Sequence, residues 1–113
     1  MKGHRIEITD GEREVVVRLG DHEIARSARA RLLHEGRLPV RVYVPAADVE
    51  PGVLTRTETS THCPFKGDAT YWTVAVDGTR VEDAAWSYEE PIPQAEPIAG
   101  HLCFDLAPEI TVE

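Results

Sequence analysis

The chain has 113 residues, 42% of them hydrophobic, which is enough for one domain with a modest core over residues 1–113. Its formal net charge of -8 disfavours binding to the phosphates of nucleic acids or to anionic lipids, so we expect neither nucleic acid nor membrane as a partner. We expect a monomer or a weak homodimer.

The N-terminal residues lack the apolar run of a signal peptide, and no segment is long enough to span a bilayer. The predicted location is therefore cytoplasmic. Two cysteines, Cys63 and Cys103, are expected to be free thiols rather than a disulfide, because disulfides are rare in the reducing cytosol.

The first part of the chain alternates apolar and polar residues. Residues 5–9 and 14–19 flank an Asp-Gly pair typical of a hairpin turn, and a second polar turn leads into a third run over residues 23–27. We therefore predict an opening three-stranded antiparallel meander.

The following segments are short and interrupted by proline and glycine. Residues 28–35 contain good helix formers but are compatible with either a helical turn or a strand. Residues 40–44 alternate as a strand does, and residues 46–49 predict one helical turn because Pro45 precedes them. Residues 53–61 are rich in hydroxyl side chains and predict a partly exposed strand.

The strongest strand pattern covers residues 70–76, and an Asp-Gly pair then returns the chain through residues 81–88. Continuous antiparallel pairing back from that turn sets Trp72 opposite residue 83, so Trp86 is predicted to lie beside Ala69. Trp86 and Tyr88 are two residues apart and share a face.

Three prolines exclude a regular strand from residues 89–100, where a short helical turn over residues 94–99 is compatible with the sequence. Residues 101–106 and 110–112 predict the last strands. About eight short strands separated by turns are typical of a mostly-β fold: a compact antiparallel twisted sheet or half-open barrel with two or three short helical turns. Six residues are predicted to be buried: Val15, Val17, Leu19, Val74, Val76 and Leu102.

Three motifs carry a family resemblance: Thr-His-Cys-Pro-Phe-Lys-Gly-Asp-Ala at residues 61–69, Ala-Trp-Ser-Tyr at residues 85–88, and Ile-Ala-Gly-His at residues 98–101. With them, the chain resembles the family called domain of unknown function 427. The resemblance implies a mostly-β fold like the β-tent architecture and no settled activity. The chain departs from the family pattern at Phe104-Asp105, where a second aromatic residue is common, and it lacks the paired Cys-x-x-Cys zinc motifs of many β-tent proteins.

Residues 61–72 concentrate a thiol, an ammonium, a carboxylate and two aromatic rings around a turn at Pro64 and Gly67. Cys63 is a candidate nucleophile, because a turn exposes backbone N–H groups and Lys66 favours a thiolate. The alternative is an apolar thiol packed behind Pro64.

Eight residues are candidate ligand contacts. Charged groups at a turn either orient a polar ligand or form surface ion pairs of little energetic value, and aromatic rings either fill a core or line a pocket. We predict that Lys66 is exposed and matters more to a ligand than to stability. The candidates are Glu35, Tyr43, Cys63, Lys66, Asp68, Trp72, Trp86 and Tyr88.

A zinc site would need His62, Cys63, His101 and Cys103 to converge. Extended backbone points His62 and Cys63 to opposite faces of a strand, so we predict no metal and no cofactor.

Phosphate-loop, serine-esterase and zincin motifs are missing from the sequence. Two hypotheses remain. The first is a module that binds a small polar or anionic ligand in an aromatic-lined concave site. The second is an enzyme that uses Cys63 as a nucleophile or the carboxyl groups of Glu35 and Asp68 in acid–base chemistry.

Overall fold

The computed structural model of the protein describes residues 6–105 and 107–113. The predicted mostly-β antiparallel fold with two or three short helical turns is confirmed: helical turns cover Ala46–Asp48 and Pro93–Ile98, and strands make up most of the remainder. The strands are β1 (Ile6–Asp10), β2 (Val15–Leu19), β3 (His22–Ser27), β4 (Arg31–Glu35), β5 (Arg41–Pro45), β6 (Leu54–Cys63), β7 (Gly67–Val76), β8 (Thr79–Ser87), β9 (His101–Phe104) and β10 (Ile110–Val112).

The strands form two antiparallel sheets that do not close into a barrel. The seven-stranded sheet has the order β1-β4-β5-β9-β8-β7-β6, and the three-stranded sheet has the order β10-β2-β3. Side chains alternate along each strand, so the large sheet presents two different faces. On β5 and β9, Val44 and Leu102 belong to one buried cluster, whereas Tyr43 and Cys103 belong to another.

The first core lies between the two sheets, where Val17, Leu19 and Ile110 of the small sheet pack with Val44 and Val74 of the large one. The second core lies on the other side of the large sheet. It contains Leu33, Tyr43, Tyr88 and Cys103, together with Ala95 and Ile98 from the second helical turn. The candidate site described below belongs to this second side.

The predicted opening hairpin is wrong. Strand β1 pairs with β4, with Ile8 opposite Leu33, and β2 pairs with β3 and β10. The amide of Gly11 donates to the carbonyl of Ala30, the residue before β4, at 2.9 Å. This bond holds the chain beside the start of β4, and the residues after Gly11 cross to the small sheet. The Asp-Gly pair is therefore a crossing point between sheets rather than a hairpin turn. Residue 5 of the predicted strand lies outside the described residues.

Several other predicted elements are confirmed. Strands β2 and β3 form the predicted hairpin. The helical turns at Ala46–Asp48 and Pro93–Ile98 lie within one residue of the predicted ranges 46–49 and 94–99. Residues 28–35, which were compatible with two structures, contain the strand Arg31–Glu35. The predicted strand over 101–106 ends at Phe104, and its residue 106 lies outside the described part of the chain.

The register of the β7–β8 hairpin differs from the prediction. Val76 lies opposite Thr79 as expected, but Trp72 pairs with Ala85 rather than residue 83, so Trp86 lies opposite Tyr71 and not beside Ala69. The cause is a bulge in β8, where Asp83 has a φ of 53°.

Two side chains of strand β6 hold this bulge. Thr57 and Thr59 donate hydroxyl hydrogen bonds to the Asp83 carboxylate at 2.6 and 2.7 Å. The same bonds hold the pKa of the Asp83 carboxyl below its ordinary value.

Four of the six predicted core residues are buried: Val17, Leu19, Val74 and Leu102. The prediction that Val15 and Val76 are buried is wrong. Both are only partly buried, although both pack against the first core. Val15 begins β2 and Val76 ends β7, so the ends of these strands leave both side chains partly exposed. Within the described ranges, the structure contains no helix with the length and apolar character needed to cross a membrane.

Candidate functional site

A concave cavity of about 220 Å³ opens on the side of the large sheet that carries the second core. Five of the eight predicted ligand contacts meet there, although they come from strands β4, β5 and β8, from the residue after β8 and from the turn after β6. The cavity is lined by Glu35, Tyr43, Lys66, Trp86 and Tyr88, together with Leu38, Arg41 and Tyr71. The site therefore combines aromatic walls with charged groups.

A buried ion pair lies within this cavity. The Lys66 ammonium donates to a Glu35 carboxylate oxygen at 2.6 Å, and the two side chains are only 11% and 13% exposed. The prediction that Lys66 is exposed is therefore wrong. Both groups are held with little access to water, where breaking an ion pair is costly.

The turn that carries Lys66 is covered by the loop after β8. The Ile92 amide donates to the Lys66 carbonyl at 2.9 Å, and the Gln94 side-chain amide donates to the Phe65 carbonyl at 3.1 Å. This covering loop, residues 90–94, is distant in sequence, which is why the turn alone did not reveal that Lys66 is buried.

Gly67 allows this close approach. Its φ is 122°, a backbone conformation that glycine adopts without the steric cost of a side chain. A Cβ atom at this position would lie 3.2 Å from the Pro91 Cα and 3.4 Å from the Ile92 amide nitrogen. Glycine is therefore required both for the backbone conformation and for contact with the covering loop.

Trp86 is the central ring of the aromatic wall. Its indole N–H donates to the Tyr43 hydroxyl at 3.3 Å, and its ring centroid lies 6.2 Å from that of Tyr71 with a tilt of 41° between the planes. The Arg41 guanidinium carbon lies 5.5 Å from the Trp86 centroid, a cation–π distance. Arg41 is exposed and thus places a positive charge at the rim of the cavity.

Burial favours the neutral form of two phenols of this wall, those of Tyr43 and Tyr88. Desolvation raises the pKa of Tyr43 well above its ordinary value, and it does the same for the pKa of Tyr88. Behind the wall, burial raises the pKa of the Cys103 thiol to about 12. At physiological pH these groups are uncharged, so among the described residues that line the cavity the formal charges belong to Glu35, Lys66 and Arg41.

Asp68 and Trp72 are not brought to this cavity. Asp68 is exposed and accepts a hydrogen bond from His62 Nδ1 at 2.7 Å, and it lines a separate polar groove with Arg56 and Glu89. Trp72 packs against the first core, on the other face of the large sheet, and its indole N–H donates to the Ser87 hydroxyl at 3.0 Å. Glu35 and Asp68 therefore lie in different grooves and do not form a carboxyl pair.

Cys63 lies beside the cavity, partly buried against the second core. The two histidines of the zinc site considered above have other hydrogen-bond partners. His62 donates to Asp68, and His101 Nδ1 donates to the Ala99 carbonyl at 2.9 Å. Within residues 6–105 and 107–113, no cluster of three or more His, Cys, Asp or Glu side chains is suited to hold a metal ion.

Three residues that line the cavity were not among the contacts predicted from the sequence: Arg41, Tyr71 and Leu38. Arg41 is two residues before Tyr43 on β5, so strand alternation was a signal that both face the cavity. On β7, the same alternation places Tyr71 and Trp72 on opposite faces of the strand. It therefore indicates that only one of the two rings can face the cavity. Leu38 lies in a turn and gave no such signal.

The comparison with protein-family models agrees with the resemblance seen in the motifs. A model described as a domain of unknown function (DUF427) matches residues 7–112. No curated protein matches the chain.

Proposed function

Because the chain belongs to the domain of unknown function 427 family, whose description names no activity, we propose its function from the site: the protein binds a small polar or anionic ligand in the aromatic-lined cavity around Trp86. One observation carries the proposal. A concave apolar wall and a buried ion pair between Glu35 and Lys66 meet in one cavity, and ligand sites typically combine apolar walls with a few fixed polar groups.

The polar groups of this cavity are held before any ligand arrives. Lys66 is fixed by Glu35 and by the covering loop, and Tyr43 is fixed by its hydrogen bond from Trp86. Fixed groups lose little conformational freedom on binding, which favours affinity for a small ligand. The cavity volume of about 220 Å³ is below the usual range for drug-sized ligands, roughly 300–1,000 Å³, so the ligand is small.

The two tryptophans of the chain provide a direct test, because one lines the cavity and the other lies on the opposite face of the sheet. In a Trp72→Phe variant, all indole fluorescence comes from Trp86. We expect this emission to change in intensity and wavelength on titration with at least one member of a panel of small carboxylates, amides, alcohols and amines. The change should saturate.

The matched control is Trp86→Phe, which leaves only Trp72. Its emission should stay constant through the same titrations, apart from the linear effect of added solute. A saturable response from Trp72 with none from Trp86 would place the ligand elsewhere, and no response from Trp86 to any compound would contradict the proposed function.

We further propose that the protein acts in the cytoplasm as a monomer or a weak homodimer, with a small molecule rather than a nucleic acid or a membrane as its partner. The two free thiols of Cys63 and Cys103 and the net charge of -8 support this view. Sedimentation at several protein concentrations tests the oligomeric state, since a weak dimer dissociates on dilution.

A further inference from the structure

We propose that the ligand is a flat, singly charged anion with one ring, and that Arg41 selects it by binding its carboxylate at the rim of the cavity. This inference rests on the proposed function, because it names the class of ligand for the same site. Four observations carry it: the balance of charge, the position of Arg41, the shape of the walls and the volume.

The charge balance favours an anion. Glu35 and Lys66 are paired with each other at 2.6 Å, so their charges largely cancel within the cavity. Arg41 adds a further positive charge at the rim. A cationic ligand would meet the unbalanced charge of Arg41, which already lies over the Trp86 ring that could attract a cation.

The same charges disfavour a doubly charged anion. Arg41 is the one cation of the described cavity lining whose charge is not balanced by a paired carboxylate, so a second negative charge on the ligand would have no such partner in the small cavity. A phosphate monoester carries nearly two charges at neutral pH. A monocarboxylate brings one, which matches the charge of Arg41.

Arg41 has the geometry needed to recognise a carboxylate. Its guanidinium group stacks near the Trp86 ring, and this contact limits its orientation while its N–H groups remain accessible at an exposed position. The planar guanidinium binds a carboxylate through two parallel hydrogen bonds. Lysine at this position would supply the positive charge but not the two parallel N–H donors.

The walls and the volume define the rest of the ligand. Tyr43, Tyr71, Trp86 and Tyr88 offer ring surfaces, and aromatic rings pair favourably in tilted or offset arrangements. A cavity of about 220 Å³ corresponds to about seven water molecules at ~30 Å³ each. One aromatic ring bearing a carboxylate fits this volume, whereas a nucleotide exceeds it.

Isothermal titration calorimetry with benzoate, benzamide and benzylamine tests the inference. Benzamide has the shape of benzoate without its charge, and benzylamine is cationic at neutral pH. We expect the protein to bind benzoate at least about tenfold more tightly than benzamide, as a charge-assisted hydrogen bond provides, and to bind benzylamine least. In Arg41→Gln, the preference for benzoate over benzamide should disappear.

Two further variants keep the test informative. Arg37→Gln removes an exposed arginine that does not line the cavity and should change the benzoate affinity by less than about twofold. Arg41→Lys keeps the positive charge but loses the two parallel N–H donors, so it should retain only part of the preference for benzoate over benzamide.

Three results would overturn the inference: no binding of benzoate, equal or tighter binding of benzamide, or an effect of Arg37→Gln as large as that of Arg41→Gln. If Trp86 emission still responds to another compound of the panel, the proposed function stands and only the ligand class is wrong. If Trp86 responds to no compound at all, both fail.

Discussion

At the scale of single residues, the ion pair between Lys66 and Glu35 is the least exposed one within the described residues. We predict that Glu35→Gln lowers the free energy of unfolding by roughly 3 kcal/mol, because it leaves the Lys66 ammonium in a place with little water and no carboxylate. Urea denaturation monitored by circular dichroism measures the loss.

The matched control is Asp68→Asn in the exposed hydrogen-bonded pair that flanks the same turn. His62 and Asp68 are 69% and 78% exposed, so their interaction is screened by water and its removal should be close to neutral in the same assay. Equal losses in Glu35→Gln and Asp68→Asn would show that the buried pair is not a stabilising element.

Five of the eight residues selected from the sequence line the cavity, but the sequence did not indicate their surroundings. Residue types and strand spacing were enough to select Lys66, Trp86 and Tyr88, since each pattern is local. The burial of Lys66 depends on the covering loop at residues 90–94, which is separated from it by two strands along the chain. Such contacts are properties of the tertiary structure and leave no trace in a local pattern.

At the scale of elements, the turn between β6 and β7 depends on Gly67. We predict that Gly67→Ala costs at least about 1 kcal/mol more than Gly78→Ala, measured as the change in free energy of unfolding. Both glycines have a positive φ, 122° and 85°, so both substitutions introduce backbone strain. Only Gly67 would also place a Cβ 3.2 Å from Pro91, whereas nothing lies within 4 Å of one at Gly78.

The effect of Gly67→Ala should extend to the covering loop. Amide hydrogen exchange at Ile92, which donates to the Lys66 carbonyl at 2.9 Å, should accelerate in Gly67→Ala and remain unchanged in Gly78→Ala. Equal stability losses in the two variants, with unchanged exchange at Ile92, would show that the loop and the turn are not coupled.

The β7–β8 hairpin shows why register was only partly predictable. The Asp-Gly turn correctly fixed Val76 opposite Thr79, because that turn chemistry is local. The bulge at Asp83 shifted the remainder of the pairing, and it is held by Thr57 and Thr59 from the neighbouring strand β6. A local pattern on β8 alone cannot reveal hydrogen bonds from another strand.

At the scale of the whole molecule, the class of fold and most strand positions followed from alternation and turn residues, but the division into two sheets did not. Strand β1 has an apolar face and an Asp-Gly pair after it, which agrees equally well with pairing to β2 or to β4. The choice depends on which core its isoleucines join. Ile6 and Ile8 pack against the second core, whereas Val17 of β2 belongs to the first.

The second core predicts how stability depends on pH. Burial raises the pKa of the Cys103 thiol to about 12, and it raises the pKa values of Tyr43 and Tyr88 above the ordinary phenol value. All three groups are neutral acids in the folded state and ionise more readily in the unfolded chain. Their contribution to stability is complete below their unfolded pKa values, about 8.5 for cysteine and about 10 for tyrosine, and is lost as the pH rises above them.

We therefore predict that the free energy of unfolding falls by up to about 6 kcal/mol between pH 8 and pH 11, with about 3 kcal/mol from the thiol and about 1.4 kcal/mol from each of the two phenols, at up to about 1.4 kcal/mol per pH unit for each group. Urea titrations at half-unit intervals of pH measure this slope. In Cys103→Ala the decline between about pH 8.5 and pH 10 should be shallower, because the thiol no longer contributes, whereas Tyr88→Phe should change the slope only above about pH 10. An unchanged slope below pH 10 in Cys103→Ala would contradict the assignment, because the thiol is the group whose unfolded pKa lies lowest in this core.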